Sequence, residues 1–172
     1  PTGFDPPAHH FHQSGTKGAQ CVECHMPEKT YMGIDDRRDH SIRIPRPDLS
    51  VKHGSPNACN LCHTDQDAQW AADAVDRFKG PDRPKEVRHP EAFHAFRSGK
   101  PEAEKLLLAT CRDSESPAFT RAGAMLALRR FLSDASFDEA RRNLDSNESV
   151  VRTAAVSKLE DLPPERSHAS LV

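Results

Sequence analysis

The pattern of apolar and polar residues divides the chain near residue 66. Residues 67–172 show a helical spacing of apolar positions, interrupted by short polar segments. The first helix, in "DQDAQWAADAVDRFKG", is predicted to be capped by Thr64 or Asp65 and to end at Gly80. After a linker, "PDRPKEVRHP", further helices are predicted at about 90–98, 101–111, 117–131, 136–145 and 148–161.

Residues 1–66 show no sustained helical or strand period. The stretch "HSIRIPRPDLSV" is predicted to be extended, because each proline disfavours helix in the residue before it. Short helical turns are expected around the two cysteine-rich segments. The predicted fold is therefore mostly α, with a loop-rich domain at 1–66 and an α-helical domain at 67–172.

The helical part contains an internal repeat. "DSESPAFTRAGAMLALRRF" starts at Asp113, and "DSNESVVRTAAVSKLEDL" starts at Asp145. With one gap, the matched positions are Arg121 with Arg152, Ala124 with Ala155, Met125 with Val156, and Leu128 with Leu159. The pattern resembles short HEAT repeats, in which each helix pair buries its apolar face against the next pair. A generic helical bundle is the alternative.

Composition indicates that the first domain needs help to form an interior. The 172 residues are 35% hydrophobic and 29% charged, and residues 1–66 hold four of the five cysteines and seven of the ten histidines. A metal or a large cofactor can supply the missing buried mass. The net charge of −2 gives no electrostatic reason to expect nucleic acid. No apolar run is long enough for a membrane span. The first residues do not resemble a signal peptide, and the first residue is not methionine, so we expect a processed chain or a fragment.

Two CxxCH segments, "CVECH" and "CNLCH", carry the chemistry. This spacing is the attachment signature of c-type haem: two thiols add to the porphyrin vinyl groups, and the following histidine becomes the proximal iron ligand. Residue frequencies predict roughly 0.01 chance copies in a chain of this composition. The sequence therefore predicts two haem c groups, the first held by Cys21, Cys24 and His25 and the second by Cys59, Cys62 and His63.

Two other chemistries fit paired cysteines. Four thiolates in a CxxC…CxxC arrangement can hold zinc, although zinc does not require histidine after both pairs. Two CxxC disulfides are the second alternative, although no βαβ pattern accompanies them.

Several other histidines are candidates for the opposite face of each iron. His10 and His12, with His9 beside them, lie upstream of the first motif, and His40 lies between the motifs, where Asp39 could orient an imidazole. His53 is a weaker candidate, and His89 and His94 are candidates from the helical part. Bis-histidine iron transfers electrons and lacks the methionine sulfur that raises reduction potentials.

The stretch from "PPAHHFHQSG" through both motifs to "AADAV" resembles the C-terminal part of large periplasmic multihaem c-type cytochromes, in which HEAT-like or tetratricopeptide helices follow the haem region. A shorter resemblance is to the last haem sites of pentahaem ammonia-forming nitrite reductases. That resemblance implies proximal roles for His25 and His63, a distal role for His12 or His10, and ligation of another haem by His40. The CxxCK motif of the catalytic haem in those reductases is absent from the sequence.

These observations predict an electron-transfer protein with two covalently bound haem c groups and a helical docking module. The alternative is part of a multihaem oxidoreductase acting on a small nitrogen or sulfur compound, which would need an iron with an open position. Expected partners are a redox protein or a further haem-bearing part of the same protein, and a homo-oligomer is a further possibility. The resemblance implies a periplasmic or extracellular location in a bacterium. Cys111 is expected to be a buried helix residue.

Overall fold

A computed structural model describes residues 6–80 and 89–162, and it confirms a mostly α fold. In the first part of the chain the regular elements are α1 (Pro7–His10), α2 (Cys21–His25), β1 (Glu28–Tyr31), β2 (Asp35–Arg38), α3 (Pro47–His53), α4 (Cys59–Cys62) and α5 (Ala68–Lys79). In the second part they are α6 (His89–Arg97), α7 (Ala103–Arg112), α8 (Ala118–Ala127), α9 (Asp134–Asn143) and α10 (Ser149–Leu159).

The chain forms two compact units, 1–85 and 86–172. The composition changes near residue 66, but α5 belongs to the first unit, so the unit boundary lies after this helix. Most of the linker predicted between α5 and α6 lies outside the described residues.

The first unit has a small interior built where α3 packs on α5. Its buried residues are small. They are Pro47 and Ser50 on α3 and Ala71, Ala72 and Ala74 on α5. The prediction of extended backbone was wrong for residues 47–51, which lie in α3. Pro47 occupies the first helical position, where its fixed φ favours the helix and no backbone N–H is needed, and Gly54 ends the helix in a left-handed conformation.

A short antiparallel hairpin, which the sequence pattern did not indicate, joins the two cysteine motifs. Strand β1 pairs with β2 in the register Glu28 with Arg38 and Tyr31 with Asp35. Both strands are almost entirely exposed, and Ile34 in the turn between them is 90% exposed. The hairpin therefore gains little from burial. Its strands are mostly charged and lack the apolar–polar alternation on which strand prediction depends.

The second unit is a stack of five described helices around a continuous apolar core. Leu107, Met125, Leu128, Phe137 and Val151 are the large apolar side chains at its centre, and each is at most 1% exposed. Predicted and observed helices agree to within three residues at each end, apart from the last turn of α8, which continues as a 3₁₀ helix at Leu128–Arg130.

The repeat positions are only partly equivalent in the structure. Ala124 on α8 and Ala155 on α10 are both fully buried, and these helices pack against each other. Met125 is buried, but its counterpart Val156 is half exposed. The HEAT interpretation of this unit stays a prediction.

Two charged side chains lie inside the second unit, each with a partner. The Nζ atom of Lys158 donates to the Phe131 carbonyl oxygen at 2.7 Å and lies 4.0 Å from the centre of the Phe137 ring. Glu139 accepts from Arg112 at 2.5 Å. Since buried charge is costly unless it is paired, these contacts are what allow the residues to be buried.

Candidate haem-binding site

Helix α2 presents the first cysteine motif on a single turn. Cys21 begins the helix and His25 ends it, so both thiols and the imidazole lie within five residues of helical backbone. The Nδ1–H of His25 donates to the carbonyl oxygen of Arg43 at 2.7 Å. This bond fixes the tautomer and leaves Nε2 as the atom that can bind a metal.

The guanidinium of Arg38 braces the first motif from the hairpin. It donates to the carbonyl oxygens of Val22 and Met26 at 3.3 and 3.2 Å, and to the Glu23 carboxylate at 2.7 Å. The hydrogen bond from Arg38 holds the pKa of Glu23 below its ordinary value. Strand β2 therefore ties the backbone of α2 and its C-terminal cap to the hairpin.

Helix α4 presents the second motif, which is braced differently. The helix spans Cys59–Cys62, and His63 follows as its C-terminal cap. The side-chain amide of Asn60 donates to the Gln66 carbonyl oxygen at 2.8 Å and to that of His63 at 3.4 Å. The ring of Trp70, in the first turn of α5, lies 4.7 Å from the His63 ring, so an amide and an aromatic side chain hold this motif.

Asp67 starts helix α5 and thereby places Trp70. Its carboxylate accepts from the Trp70 backbone N–H at 2.7 Å. The sequence prediction of Thr64 or Asp65 as the cap was therefore wrong by two or three residues. The loop after His63 extends to Gln66, whose carbonyl oxygen accepts from the Asn60 amide, and the helix begins only after that loop. Gly80 at the other end is the predicted stop.

Helix α1 and the two residues after it bring a second imidazole to each motif. The His9 ring centre lies 5.9 Å from that of His25, and the two planes differ by 22°. The His12 ring centre lies 6.1 Å from that of His63. The Nδ1–H of His12 donates to the carbonyl oxygen of His10 at 2.5 Å, which again leaves Nε2 available.

Gly18 makes room for His12. A Cβ atom at position 18 would overlap the imidazole ring of His12. Glycine is therefore required here because the His12 ring approaches the backbone closely. Its φ is one that any residue can adopt.

The residues present fit haem c. Metal–imidazole bonds are about 2.0 Å long, so two imidazoles on opposite sides of one metal ion have ring centres roughly 6 Å apart. Both imidazole pairs have this separation, and each includes the histidine of a CxxCH motif. The thiols needed for two thioether links lie beside each proximal histidine.

The cysteines of the two motifs lie near one another. As a free thiol, Cys24 has a raised pKa, first because it is partly buried and second because Cys59 and Cys62 add negative charge. Burial also raises the pKa of Cys59. None of these four side chains forms a disulfide in the structure.

The remaining candidate histidines have other surroundings. The Nδ1 atom of His10 accepts from the backbone N–H of His12 at 3.1 Å, and His40 is exposed after β2. Asp39 accepts from the backbone and hydroxyl of Ser41 and pairs with Arg43 at 3.0 Å, so its main partners are not imidazoles. His89 and His94 lie on α6, in the second unit.

Sequence reasoning gave His9 no priority over its two neighbours. Three histidines in four positions offer equal ligand chemistry, and spacing alone does not choose among them. The signal that separates them is conformational: Phe11, between the pairs, has a left-handed backbone. Nothing in the sequence marks a phenylalanine for that conformation.

The described residues contain neither a membrane-spanning helix nor a cluster of side chains that could hold a metal ion. No helix among residues 6–80 and 89–162 is long and apolar enough to cross a membrane. In the same ranges, no group of three or more histidine, cysteine, aspartate or glutamate side chains could hold a metal ion.

Comparison with known proteins identifies the family. No curated protein and no solved structure matches the chain. One family model does, that of cytochrome c552, and it covers residues 8–105. The matched segment includes both CxxCH motifs, the α1 histidines and the whole of α5. The chain therefore belongs to the cytochrome c552 family, whose members are c-type haem proteins.

Proposed function

We propose that the chain transfers electrons through two covalently attached haem c groups, each ligated by two histidines. Electron transfer by c-type haem follows from the family; the number of haems and their ligands are our proposal. Cys21 and Cys24 would carry the first haem, and Cys59 and Cys62 the second. The observation that supports this most directly is the pair of imidazole separations, 5.9 and 6.1 Å.

Each haem would have one ligand from its motif and one from the α1 region. His25 would bind the first iron opposite His9, and His63 would bind the second iron opposite His12. His25 and His12 both donate their Nδ1–H to a backbone carbonyl, which increases the basicity of the nitrogen that remains for iron.

This ligand set favours conduction over catalysis. Bound haem c supplies one-electron cycling between Fe(III) and Fe(II). The protein would hold each iron with two imidazoles, which leaves no position for a substrate, and would keep those imidazoles still. Arg38 and Asn60 do this from the proximal side, by tying each motif's backbone to a neighbouring segment.

Closely spaced motifs suit transfer between the two haems. The ring contacts of His9 with His25 and of His12 with His63 place both motifs against the same short segment of chain. His9 and His12 are separated by two residues, so their backbone ties the two distal ligands together.

The remaining parts of the proposal concern partners. The second unit would dock the haem-bearing unit against a redox partner or a further haem-bearing segment, because stacked helices present extended surfaces. His40, which is exposed, would ligate a haem outside the two motifs. We place the protein in the periplasm or outside the cell, where c-type haem is attached.

The first test counts the haems. Protein matured in a haem-competent host should give a pyridine haemochrome spectrum and an intact mass that both correspond to two haem c per chain. A mass equal to that of the bare polypeptide, or with a single haem, would contradict the proposal.

The second test assigns the ligands. Reduced wild-type protein should bind no carbon monoxide, whereas His9→Ala and His12→Ala should each open one iron to it. His10→Ala is the matched control and should remain closed, because the proposal assigns the two irons to His9 and His12, whose rings lie against His25 and His63. Carbon monoxide binding by the wild type would instead support the oxidoreductase alternative.

A further inference from the structure

The backbone of Phe11 adopts a conformation that is unusual for its side chain. Its φ of 58° and ψ of 24° are left-handed, and it caps α1 by donating its N–H to the Pro7 carbonyl oxygen at 2.8 Å. Helix caps of this kind are usually glycine, since a Cβ atom makes the conformation strained. Something outside the backbone must therefore stabilise the turn.

This turn is what sends two nearby histidines to two different motifs. In a continuing helix, His9 and His12 would be three residues apart on one face and would point to the same place. The reversal at Phe11 ends the helix after His10. His9 then lies against His25, and His12 lies against His63.

The C-terminal end of α5 holds the Phe11 side chain. The rings of Phe11 and Phe78 stack with centres 4.3 Å apart and planes only 10° from parallel. The Nζ atom of Lys79 lies 5.1 Å from the centre of the Phe11 ring. Both phenylalanines remain partly exposed, at 40% and 50%, so a specific pair of contacts holds the turn without a surrounding core.

The N-terminal end of α5 contacts the other member of the same pair. Trp70 lies against His63, tilted by 48°. One helix therefore touches the motif histidine at its first turn and, through Phe11, controls the upstream histidine at its last turn.

We propose that Phe78 is a positioning residue for the second haem site: it clamps Phe11 in the left-handed turn that places His12 opposite His63. This inference rests on the proposed bis-histidine ligation. It assigns a role to Phe78, which is a positioning residue because it acts through Phe11 without touching the ligands itself.

The experiment compares Phe78→Ala with Phe119→Ala in the full chain with its haems attached. Phe119 is 81% exposed on α8 and provides the matched control. Phe78→Ala should keep both haems by pyridine haemochrome but show one high-spin iron and carbon monoxide binding at about half of the haem. Phe78→Tyr, which can still stack, and Phe119→Ala should behave as the wild type.

A rescue separates this role from general damage. Glycine adopts positive φ without strain, so Phe11→Gly in the Phe78→Ala background should restore low-spin iron at both haems. Phe11→Ala in the same background should not. If Phe78→Ala fails to accumulate, Phe11→Ala and Phe11→Gly in the otherwise wild-type chain test the inference. Phe11→Ala should bind carbon monoxide at one haem, and Phe11→Gly should not.

Distinct outcomes overturn the inference and the proposed function. Two low-spin haems in Phe78→Ala and in Phe11→Ala would overturn the clamp while leaving the ligation intact. Absence of rescue by Phe11→Gly would also overturn it. Failure of the proposed function would be seen in the wild type instead, as a haem count other than two or as carbon monoxide binding.

Discussion

The two units of this protein obtain their interiors in different ways. Among the described residues of the first unit, the buried apolar side chains are three alanines and a proline, while Tyr31, Met32 and Ile34 are exposed. The second unit buries leucine, methionine, phenylalanine and valine side chains around a continuous core. Among the described residues, the second unit has the apolar interior expected of a self-supporting fold and the first does not, so we expect the first unit to depend on bound haem for its stability.

Omitting the haems should have the largest effect. In a host without cytochrome c maturation, we expect limited proteolysis to digest residues of the first unit and to leave a fragment from about residue 86 onward. A group that binds only the folded state stabilises that state, so loss of the covalent haem removes this stabilisation entirely. Mass spectrometry identifies the surviving fragments, and a first unit as protected as in the haem-bearing protein would contradict the expected dependence on haem.

A cavity in the second unit should destabilise that unit and spare the haem sites. Leu107 is fully buried, and Leu107→Ala should lower the free energy of unfolding by about 2–5 kcal/mol. Burial raises the pKa of the Cys111 thiol to about 12, so its alkylation at neutral pH reports opening of this unit.

The matched control for Leu107 is Leu132→Ala, since Leu132 is 64% exposed; its effect should stay within about 0.5 kcal/mol. The haem absorbance should be unchanged in both variants. A haem transition that moves together with Cys111 labelling would show that the units unfold as one.

Crowding at Gly18 should act on the first unit only. Gly18→Ala forces the His12 ring aside, so one iron should lose low-spin character in the visible spectrum, at a cost of about 1–3 kcal/mol to that unit. Cys111 labelling should not change. The control is Gly123→Ala on α8, where an added Cβ meets Phe93 at an ordinary 3.5 Å and the haem spectrum should be that of the wild type.

The smallest expected effect is a pH dependence in the second unit. Hydrogen bonding from Arg129, at 2.8 and 3.0 Å, holds the pKa of Asp161 below its ordinary value. The stabilisation is therefore complete above about pH 4, the unfolded value, and is lost as pH falls through the lower folded value.

Asp161→Asn should consequently lower the unfolding midpoint by a few degrees at most at pH 6, because the pair is partly exposed, and by less at pH 2, where protonation of Asp161 weakens the pair in the wild type as well. Thermal unfolding followed by Cys111 labelling or circular dichroism measures it. An equal effect at both pH values would exclude the carboxylate as the cause.

The sequence predicts the second unit better than the first, for a physical reason. Helices α6 to α10 have apolar positions at helical spacing because their own side chains form the core, so the pattern records the packing. In the first unit the buried side chains are few and small, so the pattern of apolar positions carries little information. The hairpin and α3 were missed for that reason.

The candidate site shows the same division. The CxxCH motifs are recognisable because covalent attachment fixes both residue type and spacing. The histidines that face the motifs are not, because His9, His10 and His12 are chemically alike and the turn at Phe11 separates His9 from His12. That turn depends on Phe78, 67 positions along the chain, a contact that no local pattern reveals.

The exposed hairpin also has a consequence for how this segment can vary. Extra residues in the turn after Tyr31 would project into solvent and disturb no buried contact, so we expect insertions there to be tolerated. The spacing of three residues between His9 and His12 should not tolerate an insertion, since one added residue would rotate an imidazole away from its motif. Length variants of the chain should therefore accumulate at the hairpin and be excluded from the α1 segment.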